Sequence, residues 1–128
     1  MAHYPKRVLI VEDNKIDMKL MKDILERSEY ETLQAEDGLE AINLALARLP
    51  DLILMDIQLP EISGLEITRR LKGDDRSRRI PIVAVTAFAM GWHEREALDS
   101  GCDAYVSKPI SIFSFLRTIE SFLPQFSN

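Results

Sequence analysis

Five short stretches of the chain are dense in apolar, strand-favouring residues: Arg7 to Val11, Tyr30 to Gln34, Leu52 to Asp56, Ile82 to Thr86 and Ala104 to Ser107. Three of them contain unbroken apolar runs, Val8-Leu9-Ile10-Val11, Leu52-Ile53-Leu54-Met55 and Ile82-Val83-Ala84-Val85. A strand that is apolar on both faces belongs in a parallel sheet covered by helices on both sides. The intervening segments carry helical spacing. Ile16, Leu20 and Ile24 predict one stripe with Met21 and Leu25 beside it, and Ile112, Leu116, Ile119 and Leu123 predict another, widened by Phe115 and Phe122. Asp37-Gly38-Leu39-Glu40 and Ser63-Gly64-Leu65-Glu66 read as helix starts, each with Glu three residues after a capping side chain. Gly101 ends the weakly apolar helical segment Trp92 to Ser100. Strand and helix alternate five times, which predicts an α/β fold: a doubly wound, five-stranded parallel sheet with five helices.

At 128 residues and 46% hydrophobic content, the chain is expected to form one compact domain, with its core between about residues 7 and 123. That leaves no room for a separate output domain, so any output must come from the domain's own surface. A net charge of -5 argues against the positive field that draws proteins onto nucleic acid. Arg76, Arg78 and Arg79 form the one basic cluster and read as a solvated loop. Cys102 is the sole cysteine, so no internal disulfide forms. Met1 to Lys6 has no signal-peptide apolar region, and no apolar run approaches a membrane span. These features fit the cytoplasm.

The chemistry lies in the residues that end the strands. Ligands of doubly wound sheets bind at the carboxyl ends of the strands. Glu12 and Asp13 end the first, Asp56 the third and Thr86 the fourth, and Lys108 follows the fifth. Singly, each has an ordinary explanation. Asp13 or Asn14 could cap a helix, Lys108 could be a surface lysine, and Thr86 a β-branched strand residue. Together they would bring three carboxylates, a hydroxyl and an ammonium to one edge. Carboxylates crowded this way need a cation. Oxygen donors without His or Cys suit Mg²⁺, with Mn²⁺ as the alternative. Asp13 and Asp56 would be ligands, with Glu12 holding a metal-bound water or tuning the site. A carboxylate nucleophile, a metal clamp, a fixed cation at Lys108 and a hydroxyl at Thr86 are the parts that phosphoryl transfer requires.

The motifs Val8-Leu9-Ile10-Val11-Glu12-Asp13-Asn14, Asp51-Leu52-Ile53-Leu54-Met55-Asp56, Leu59-Pro60 with Gly64, Val85-Thr86-Ala87 and Lys108-Pro109 occur in order. They resemble the receiver domain of two-component response regulators, from about Arg7 to Leu123. Residues 51–65, 84–90 and 107–111 are further similar to single-domain receivers that act in alphaproteobacterial division and cell-fate control. The resemblance implies a flavodoxin- and CheY-like fold. It also implies that Asp56 accepts a phosphoryl group from a histidine kinase or a histidine phosphotransfer protein, and that the protein otherwise turns over no substrate. Asp13 would bind the metal directly, and the backbone carbonyl of Gln58 would be a further ligand. Thr86 and Tyr105 would form a switch, Lys108 would be the family's invariant lysine, and its bond to Pro109 would be cis. The implied output surface is the fourth helix, fifth strand and fifth helix, with Trp92, His93 and Pro109 as candidate partner contacts. The oligomeric state would be a monomer or a weak, phosphorylation-dependent dimer.

Gly91-Trp92-His93 and Asn14-Lys15-Ile16-Asp17-Met18 depart from the pattern of the single-domain type, which leaves open a paralogue with altered partners. Trp92 reads either as a partly buried core side chain or as a partner anchor, and its polar neighbours favour the second. A phosphatase of the haloacid dehalogenase type also combines an aspartate nucleophile with Mg²⁺, but needs a second Asp where this chain has Gln58. A never-phosphorylated interaction module would fit an incomplete acid set, which this is not. No glycine-rich nucleotide loop is present.

Overall fold

The computed structural model describes residues 4–87 and 91–124, without the side chains of residues 91–93. Strands and helices alternate as β1 (Arg7–Val11), α1 (Lys15–Arg27), β2 (Glu31–Ala35), α2 (Gly38–Arg48), β3 (Leu52–Asp56), α3 (Gly64–Lys72), β4 (Ile82–Thr86), α4 (Gly91–Asp99), β5 (Ala104–Ser107) and α5 (Ile112–Phe122). All strand pairs are parallel, and the sheet order is β2-β1-β3-β4-β5. The three unbroken apolar runs are the three interior strands, which explains why they lack alternation. Both of their faces are covered by helices.

The period of two within each interior strand divides the core. Leu9, Val11, Ile53, Met55, Ile82 and Ala84 face α2, α3 and α4, together with Ala41, Ala45, Ile67, Leu71 and Ala97. Val8, Ile10, Leu52, Leu54, Val83 and Val85 face α1 and α5, against Met21, Leu25, Phe115 and Ile119.

Three expectations need correction. The second strand starts at Glu31 rather than Tyr30, and runs to Ala35. Tyr30 instead closes α1. Its N–H donates to Leu25 O at 3.0 Å while Glu29 adopts a φ of 70°, the geometry of a Schellman turn. Its hydroxyl donates to Leu123 O at 3.1 Å. On α1, Ile16 is 80% exposed and Leu20 lies at the surface, whereas Met18, Met21, Ile24 and Leu25 are buried. Met18, Met21 and Leu25 share one face, and Ile16 stands about 200° round the helix from Met18. On α5, the buried line runs through Phe115 and Ile119 to Leu123, while Ile112 and Phe113 are exposed.

The helix starts are where the sequence places them. Asn14 caps α1 by accepting from Ile16 N and Asp17 N. Asp37 accepts from Glu40 N, but Glu40 reaches back to Glu36 N, one residue before the cap. Ser63 Oγ accepts from Leu65 N, and Glu66 pairs with Arg69 and Arg70 instead of completing a capping box. Gly101 has a φ of 109°, which suits a helix stop that a side chain would strain. Arg76 and Arg78 are paired with Asp74 and Asp75, so two of the three arginines of this cluster are locally neutralised. Among the described residues, no helix is long and apolar enough to cross a membrane.

Glycine is required at position 64. A Cβ there would press on the carbonyl oxygen of Asp56 and lie 2.7 Å from Ile57 Cα, and neither backbone atom can swing away. The loop before it contains a tight turn in which Ile62 N donates to Pro60 O at 2.8 Å, with Glu61 at a φ of 66°. Gly64→Ala is expected to cost about 1–3 kcal/mol by overpacking, read as a lowered thermal midpoint. Phe115→Ala should cost about 3–5 kcal/mol in urea unfolding. Phe113→Ala loses an exposed ring over Arg117, and should cost about 1 kcal/mol or less.

Candidate functional site

Strand order reverses between β1 and β3, since β1 is followed by a neighbour on one side and β3 by a neighbour on the other. A crevice opens at the carboxyl ends of the strands at such a point. Glu12 and Asp13 follow β1, and Asp56 ends β3. The strand register thus brings together acids that lie more than forty residues apart in sequence.

Their environments differ. Glu12 and Asp56 are buried, at 1% and 4% exposure, while Asp13 faces solvent. One carboxylate oxygen from each of the three lies within 4.8 Å of the others. Asp56 Oδ1 accepts from Gln58 N at 2.9 Å, and Glu12 Oε2 from Asn14 N at 3.2 Å. The other oxygens of these two buried acids turn toward Lys108. Its Nζ lies 2.8 Å from Glu12 Oε1, 3.0 Å from Asp17 Oδ2 and 3.6 Å from Asp56 Oδ2. Glu12 Oε1 meets the ammonium as an ion pair without an aligned hydrogen bond.

The electrostatics follow from burial. Desolvation, reinforced by the Asp56 carboxylate, pushes Glu12 up to about 7 against the opposing pull of Lys108. Burial would lower Lys108, but the carboxylates of Glu12 and Asp17 outweigh it and hold the ammonium above its ordinary range. One lysine therefore serves three acids, and negative charge remains in excess.

That residual charge and the purely oxygen donor set fit a hard divalent cation such as Mg²⁺. Glu12, Asp13 and Asp56 are the residues whose converging oxygens could hold it.

The remaining candidates are placed by β4 and β5. Thr86 is fully buried at the end of β4, and its carbonyl accepts from Lys108 N at 2.8 Å, which ties the lysine to the strand ends. Tyr105 is half-buried on β5, paired in register with Ala84 and packed against the α2–α4 side of the core. The Lys108–Pro109 bond is cis, and Pro109 is exposed. Gln58 is exposed directly after the Asp56 loop begins. The side chains of Trp92 and His93 lie outside the described residues. Sequence reasoning missed Asp17. Its only sequence signal is its place in the first turn of the helix that follows the acidic pair.

Comparison with known proteins agrees with this geometry. Residues 8–120 match the response regulator receiver domain. The polar-differentiation response regulator DivK of Brucella anthropi is 58% identical over 119 residues, covering 93% of this chain and 97% of the relative. DivK of Brucella ovis is 57% identical over 118 residues, covering 92% of this chain and 96% of the relative. Among solved structures, the receiver domain of a sensor histidine kinase from Pseudomonas aeruginosa PAO1, with magnesium coordinated in its active-site cleft, superposes with a TM-score of 0.86 at 29% identity, covering 93% of this chain and 98% of that one. A CheY-like receiver domain from Methanospirillum hungatei JF-1 superposes at 0.84 and 30% identity, covering 95% and 97%. Motif order, strand order and these likenesses agree: the chain belongs to the response regulator receiver domain family.

Proposed function

We propose that the chain is a single-domain receiver that accepts a phosphoryl group on Asp56 from a histidine kinase or histidine phosphotransfer protein. The observation that carries this reading is the convergence of Asp56, Glu12, Asp13 and Lys108 in the crevice at the sheet's reversal point. A carboxylate oxygen of Asp56 forms a new P–O bond while the P–N bond of the donor phosphohistidine breaks. The electron pair of that bond returns to the donor imidazole. Lys108 supplies positive charge to the arriving oxygens, and Thr86 a hydroxyl. Asp13, Asp56 and the carbonyl of Gln58 would hold Mg²⁺, or Mn²⁺ in its place, with Glu12 tuning the site. The metal supplies charge neutralisation for the transferred group. The protein catalyses its own phosphorylation and dephosphorylation, and acts on no external substrate.

Phosphorylation adds negative charge and acceptor oxygens. In the proposed switch, Thr86 moves toward them, Tyr105 follows, and the α4-β5-α5 face repacks. Both states pre-exist, and the modification shifts their populations. Trp92, His93 and Pro109 would contribute to the partner face. The names of the DivK relatives support partners in polarity or division control. In this reading the partners are proteins, and the chain neither binds nucleic acid nor inserts into a membrane. The proposed setting is the cytoplasm, with recruitment to membrane-bound kinases, as a monomer or a weak phosphorylation-dependent dimer.

Incubation with Mg²⁺ and acetyl phosphate should shift the protein on a phosphate-affinity gel. Asp56→Asn should show no shift, and chelator should abolish it. A shifted Asp56→Asn band would sink the assignment. Tyr105→Ala should still be phosphorylated but should lose phosphorylation-dependent binding to its partner in a pull-down. Normal signalling by that variant would remove Tyr105 from the switch.

A further inference from the structure

Lys108 is shared unequally. Its ammonium makes close contact with Glu12 and with Asp17, at 2.8 and 3.0 Å, but stands 3.6 Å from Asp56, beyond hydrogen-bond distance. Glu12 is buried at the rear of the crevice. Asp17 lies on the first turn of α1, with its side chain 29% exposed, and its backbone N–H is fixed by the Asn14 cap at 2.9 Å. The cap therefore fixes the backbone from which the Asp17 carboxylate reaches Lys108. The Lys108 side chain is only 15% exposed, so its partners rather than water decide its position.

We propose that Asp17 is a positioning residue for phosphoryl transfer, whose carboxylate draws the Lys108 ammonium toward α1 and competes for it with the phosphoryl group arriving at Asp56. This rests on the phosphoacceptor reading of Asp56 and deepens it. In the unphosphorylated protein the Asp17 pair satisfies an ammonium that Asp56 does not reach. When phosphoryl oxygens arrive, Lys108 must exchange one anion for another, and that exchange offsets part of the attraction for the donor. Asp17 lies outside the group of three carboxylates whose oxygens converge, so its effect runs through Lys108 and not through the metal.

The test measures initial rates of phosphorylation by acetyl phosphate at saturating Mg²⁺ for wild type, Asp17→Asn, Asp17→Ala and Asp23→Asn. Asp23 is an acid of the same helix that pairs with Lys19 and makes no contact with Lys108. Both Asp17 variants should lower the half-saturating concentration of acetyl phosphate by roughly two- to five-fold, the scale of a partly exposed ion pair. Asp23→Asn should match wild type. The gain should persist at raised salt, because removal of a distant exposed charge would be screened away while a direct contact is screened less. Mg²⁺ affinity, measured by calorimetry, should be unchanged. Rates equal to or below wild type in both folded Asp17 variants would overturn the proposal. So would an equal gain from Asp23→Asn, a gain abolished by salt, or weakened Mg²⁺ binding. Failure of wild type itself to be labelled would instead overturn the phosphoacceptor reading, and this inference with it.

Discussion

The structure is organised around the burial of two carboxylates, Glu12 and Asp56, side by side at the ends of adjacent parallel strands. Ionised acids removed from water are costly unless opposite charge and donors meet them. The fold answers with one half-buried ammonium, two backbone N–H groups and an open side toward solvent where Asp13 stands. Even so, burial, reinforced by the neighbouring Asp56 carboxylate, raises Glu12 to about 7 despite the pull of Lys108. A site left short of positive charge favours a hard cation and an exchange of anions around the lysine.

Holding that arrangement requires a rigid frame. The interior strands are apolar on both faces, so each end is positioned by packing from two sides of the sheet. Gly64 allows α3 to start against the backbone of Asp56 and Ile57, which fixes the exit from β3. The Thr86 carbonyl anchors the Lys108 N–H, so the ammonium is carried by the last two strands while the acids are carried by β1 and β3. Any change in how β4 and β5 sit against β3 therefore changes the distance between Lys108 and Asp56. Under the proposed function, that coupling links the chemistry of Asp56 to the surface of α4 and α5.

Exposed apolar residues repay attention to place rather than to count. Ile16 on α1 and Ile112 and Phe113 on α5 lie in the first turns of helices that start at the strand-end edge, the edge that carries the acids. Their periodicity made Ile16 and Ile112 read as core. They lie outside it because each helix is rotated by its larger buried set, Met18, Met21 and Leu25 in one and Phe115 and Ile119 in the other.

The local and pairwise features were legible in the sequence. Unbroken apolar runs identified the three interior strands, helix caps appeared at Asp37 and Ser63, and the residues at the strand ends named the acids and the lysine. These follow from period, capping chemistry and the general placement of ligands in doubly wound sheets, all readable from spacing along one chain. What depended on packing was not. The rotation of α1 and α5, the closing role of Tyr30 and the one-residue shift of β2 depend on which face wins against the sheet. The role of Asp17 depends on a contact to a lysine 91 positions away in sequence. Sequence order sets which residues end a strand, but only the packed sheet sets the distances between those ends, because Coulomb and hydrogen-bond energies depend on separation in space and not along the chain.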